Sequence, residues 1–187
     1  MTKETELLGK NVIITGFKEA KIKNLQTFFE HIQERIKGSH VQFFDARLIA
    51  GWEHLYFAAL NALRAFEAGL NISRSPAVEA LLYVSGQHQI KKAVETFGIK
   101  PETSEIAVLI ISETKIGAEE TLRTVSDLLK GEICDDVLRL TDEKIEDIRR
   151  LFNISDLELE AASRGEGLGR ALTDLVIEHV ALLAAKR

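Results

Sequence analysis

Residues 105–112 (EIAVLIIS) are the most continuous apolar run in the chain, and no other segment limits its fold as much. A run with no polar alternation reads as a central strand of a sheet. Residues 11–17 (NVIITGF) and 41–50 (VQFFDARLIA) read as further strands, and residues 137–140 as a short fourth. The stretches between them follow the helical period. Residues 20–37 place Ile22, Leu25, Phe28, Phe29, Ile32 and Ile36 on one side and stop near Gly38. Residues 117–130 end at Gly131, Thr141 caps a helix reaching to about Phe152, and Ser155 with Glu158 forms a capping box for the next. A Gly-rich turn at 165–169 leads into a last helix, residues 170–185.

The middle of the chain, residues 52–98, carries three helical patterns in a row. Trp52, Leu55, Tyr56, Ala59, Leu60, Leu63 and Phe66 make a wide apolar stripe on the first. Ser75-Pro76 starts the second, with Ser as cap and Pro at the first helical position. Gly98 closes the third. Strands separated by helices, around a three-helix block, predict an α/β or α+β fold. The expectation is one domain over residues 1–187, with a small mixed sheet of about four strands and seven or eight helices.

Composition narrows function. A net charge of −5 and a pI near 5.6 argue against non-specific coating of nucleic acid, so any RNA contact needs a local basic patch. One cysteine, Cys134, excludes an intrachain disulfide and a cysteine-rich zinc site. The first ten residues carry no hydrophobic signal segment, and no apolar run nears the roughly 20 residues that cross a bilayer. The expectation is a cytoplasmic protein with no membrane contact.

Catalytic patterns are sparse. The chain has no P-loop, no HExxH and no CxxC, and its five histidines show no metal-ligand spacing. Ser85 and His88 could be drawn as nucleophile and base, but Val84-Ser85-Gly86 lacks the glycine that precedes a nucleophile elbow and reads better as a helix end. The turn at 165–169, flanked by Arg164 and Arg170, could hold a phosphate on free amides. A helix rather than a strand precedes it, so a hinge is the better reading. Asp135-Asp136 would need further ligands to hold a cation. No cofactor or metal is expected, and a small-molecule enzyme built on Ser85 and His88 is the alternative reading.

Two features point to binding. His54, Asn61 and Arg64 share one face of the first central helix; Asn71, Ser73 and Arg74 follow, then His88, Lys91 and Lys92. If the three helices pack as a unit, these residues could form a mildly basic, hydrogen-bonding surface suited to single-stranded RNA. The plainer reading is a solvated helix face with loop caps. In the last helix Leu172, Leu175, Val176, His179 and Leu183 form one stripe, and Ile177, Val180, Ala181, Leu182 and Ala184 cover much of the rest. A helix apolar on more than one face needs a second surface to cover it: a partner, a second copy in a self-associating scaffold, or this domain's own core.

Residues 54–99 (HLYFAALNALRAFEAGLNISRSPAVEALLYVSGQHQIKKAVETFGI), and the tail 172–183 (LTDLVIEHVALL), resemble the small kinase-binding regulatory subunit of the KEOPS complex, a CGI-type family. The resemblance implies a sheet packed with helices and a non-catalytic role in forming threonylcarbamoyladenosine on tRNA. It implies two partners, the complex's kinase-like ATPase and tRNA. By that resemblance residues 54–92 would hold the tRNA 3′ CCA end. The terminal helix, through Val176, His179, Val180 and Leu183, would dock the kinase.

Overall fold

The computed structural model describes residues 2–163, 165 and 167–185. Strands Lys3–Leu7 (β1) and Lys10–Lys18 (β2) form a hairpin joined by Leu8 and Gly9, whose φ angles are 49° and 74°. Two successive left-handed residues are what a two-residue hairpin turn requires. Ser39–Asp45 (β3), Ile106–Ser112 (β4) and Glu132–Ile133 (β5) complete the sheet. The order is β1-β2-β4-β3, with β5 pairing beside the end of β2. β4 is central, as residues 105–112 predict, and each of its seven residues is buried. Every pairing is antiparallel, so the sheet is not mixed as expected.

Helices cover both faces unequally. Leu25–Arg35 (α1) and Lys115–Leu129 (α5) pack Phe28, Ile32, Val125 and Leu129 against Ile13, Phe17, Phe43, Val108 and Ile110. The other face, with Val12, Ile14, Phe44, Leu109 and Ile111, takes a thicker layer. That layer contains Trp52–Glu67 (α2), Pro76–Ser85 (α3), Ile90–Phe97 (α4), Asp142–Phe152 (α6), Asp156–Ser163 (α7) and Leu168–Ala185 (α8). The alternation of residues along β2 and β4 assigns each side chain to its layer.

α2 lies in the middle of this layer, against α3 and α8. Its inward positions are mostly alanine: Ala58, Ala59 and Ala62 are fully buried and Ala65 is 5% exposed. Small side chains let the neighbouring helices approach closely while helix propensity stays high. Two buried ionisable groups tie the layer together. The Glu79 carboxylate accepts the backbone N–H groups of Ile72 (3.0 Å) and Ser73 (2.7 Å), fixing the α2–α3 connection. The Lys144 ammonium of α6 donates to the carbonyls of Ala46 (2.8 Å) and Val137, and burial lowers its pKa to about 8, against the pull of Glu105 and Asp45.

Three local readings change. Residues 137–140 are not a strand; Asp135–Leu138 form a 3-10 turn. The Asp135 carboxylate accepts Gly16 N–H (3.0 Å) and the Thr15 hydroxyl (2.9 Å), which pins this turn over β2. Gly16 permits the crossing, since a Cβ there would lie 2.4 Å from Val137 Cγ2 and 2.6 Å from the Cys134 carbonyl. The second half of 41–50 turns away as a 3-10 segment, Ala46–Leu48, because the Asp45 side chain caps Arg47 N at 3.1 Å. Ser75 makes no capping bond to α3; its Oγ lies 3.3 Å from His40 Nδ1, while Pro76 does open the helix. Thr141 and the Ser155–Glu158 box cap as predicted.

Candidate functional site

The predicted RNA-facing residues divide into buried struts and exposed cations. His54 is fully buried. Ala50 N–H donates to its Nδ1 (3.3 Å), so Nε2 carries the proton and donates to the Val84 carbonyl (3.0 Å). Its ring packs edge-on against Phe97 and Phe152. His54 is therefore a core residue that joins the start of α2 to the end of α3, and RNA cannot reach it. Ser73 is also buried, bonded to Ser75 N and O. Asn61 and Asn71 are half-buried and spend their amides on the Phe57 (2.8 Å) and Ser73 (2.9 Å) carbonyls.

Arg64, Arg74, His88, Lys91 and Lys92 remain exposed. The His54–Val84 bond makes α2 and α3 antiparallel. Arg64 and Arg74 thus flank the α2–α3 connection, whereas His88, Lys91 and Lys92 follow the opposite end of α3. A ten-residue helix rises about 15 Å, so the cations form two separate groups rather than one patch.

The last helix also sorts its residues by face. Val176 and Val180 are fully buried and Leu183 is 3% exposed, all within the thick layer's core. Their i, i+4, i+7 spacing marks the inner face, so these three are not presented to a partner. His179 is exposed on the flank, with its ring 5.6 Å from that of Phe152. The outer face carries Glu178, Ala181 and Leu182, the last 44% exposed. Leu182 escapes a sequence reading as a site residue because two apolar stripes share the helix. The stripe at 176, 180 and 183 is the one that takes the core. On neighbouring helices Leu151 (39%) and Leu157 (76%) are exposed as well.

The Ser85 hydroxyl donates to the Leu82 carbonyl of its own helix at 3.0 Å, while His88 is exposed. The described His, Cys, Asp and Glu side chains form no group that could hold a metal ion. A cavity of 630 Å³ opens between the starts of α2 and α8. Its arginines are engaged: Arg139 pairs with Asp136 (3.1 Å), and Arg170 with Asp174 (3.0 Å) and Glu53 (3.7 Å). Arg170 is thus neutralised beside the Gly-rich turn, in which Gly165 and Gly167 are left-handed; Arg164 lies outside the described residues. His54 and Lys144, the groups with the largest pKa displacements, do not line this cavity. No described helix is long and apolar enough to cross a membrane.

Over residues 19–184 the sequence matches the family described as kinase binding protein CGI-121. It is 30% identical over 176 residues to the regulatory protein Cgi121 of Methanocaldococcus jannaschii, an alignment covering 94% of this chain and 99% of that protein. The chain belongs to the family of the kinase binding protein CGI-121.

Proposed function

We propose that this protein is a non-catalytic subunit of the KEOPS complex, which binds and regulates the kinase-like ATPase subunit and helps recruit the tRNA 3′ CCA end for threonylcarbamoyladenosine formation. The observation that carries this reading is the family match along almost the whole chain. The engaged Ser85 hydroxyl favours a binding role over the enzyme alternative.

The kinase surface in this reading is the outer face of α8, centred on Leu182 and flanked by His179. Removing an apolar interface anchor costs about 2 kcal/mol or more, and a desolvated charge adds to that. Leu182→Glu is expected to weaken kinase binding by well over tenfold while its melting temperature stays within about 2 °C of the parent, because the side chain already meets solvent. Titration of the purified kinase subunit against the folded variant is the measurement. Unchanged affinity would remove α8 from the interface.

The tRNA contact is assigned to the two exposed cationic groups. Charge reversal at Arg64 and Arg74, or at Lys91 and Lys92, should weaken tRNA capture and flatten its salt dependence by roughly 0.7 in log–log slope for each phosphate left without its cation. Intact tRNA should bind at least tenfold more tightly than tRNA trimmed of its CCA end. Equal binding of the two RNAs would refute the acceptor-end assignment and leave the kinase assignment standing.

A further inference from the structure

We draw no further inference here: the strongest candidate, the 630 Å³ cavity between the starts of α2 and α8, is lined by charges of both signs, Lys3, Arg139 and Arg170 against Glu53, Asp135 and Asp136, and nothing in the structure selects one ligand for it.

Discussion

Val180→Arg is expected to unfold the protein rather than merely detach a partner. Val180 has no solvent exposure and lies in the core where α8 meets the thick helical layer. The substitution forfeits the burial of a valine, roughly 1.5 kcal/mol or more, and overfills a packed site. It also takes a guanidinium out of water into a site with no solvent exposure, which costs several kcal/mol more. The total exceeds about 4 kcal/mol, a large part of the roughly 5–15 kcal/mol that holds a typical domain. Circular dichroism and urea titration should show a largely unfolded chain at 37 °C. A variant that melts like the parent would mean that α8 swings out freely and that Val180 is available for docking after all. Paired with Leu182→Glu, this separates the two faces of one helix: one substitution acts on folding, its neighbour on binding.

The second large effect is a pH dependence set by His54. Burial lowers its pKa to about 4, despite the opposing hydrogen bond to the Val84 carbonyl. The unfolded chain holds this imidazole near its ordinary value of 6.5. As pH falls below 6.5 the unfolded state takes up the proton first. The stability linked to neutral His54 is thus complete above pH 6.5 and lost progressively toward pH 4. That displacement is worth on the order of 3 kcal/mol. His54→Leu should be less stable than the parent at pH 7 by about 2–3 kcal/mol, because Ala50 N–H and the Val84 carbonyl lose their partner. It should also lose less stability on acidification, so the two curves converge toward pH 4. Urea unfolding of both proteins at pH 7 and 4.5 measures the gap. A gap that stays constant would show that His54 is not held neutral by the fold.

The fold was legible where one segment's pattern settles its environment. Residues 105–112 read as a covered strand and are one, Pro76 marks a helix start through its fixed φ, and Thr141 and the Ser155–Glu158 pair mark theirs through bonds made within a few residues. β1 went unread because KETEL offers a single buried residue, Leu7; its pairing comes from the Leu8-Gly9 turn and the neighbouring strand. Residues 137–140 look extended in isolation, but a carboxylate two positions earlier reaches across to β2 and closes a turn. For the candidate sites, the cations Arg64, Arg74, Lys91 and Lys92 were readable as exposed, whereas His54 and Ser73 were not readable as buried. A polar residue on a helix face looks the same in sequence whether it meets water or another helix's carbonyl. The apolar excess of α8 had a similar ambiguity, and core packing against α2, α6 and α7 absorbs most of it.

The alanine face of α2 sets a limit on how this protein can diverge. At Ala58, Ala59 and Ala62 a larger side chain has nowhere to go, and the one smaller residue, glycine, costs a helix interior about 1 kcal/mol. Substitution is closed in both directions, unlike at a buried leucine, which can drift to methionine or isoleucine with modest repacking. Across descendants of a common ancestor these small positions should therefore change more slowly than the bulky core around them. The ancestry of the chain would then be written most durably in its least conspicuous residues.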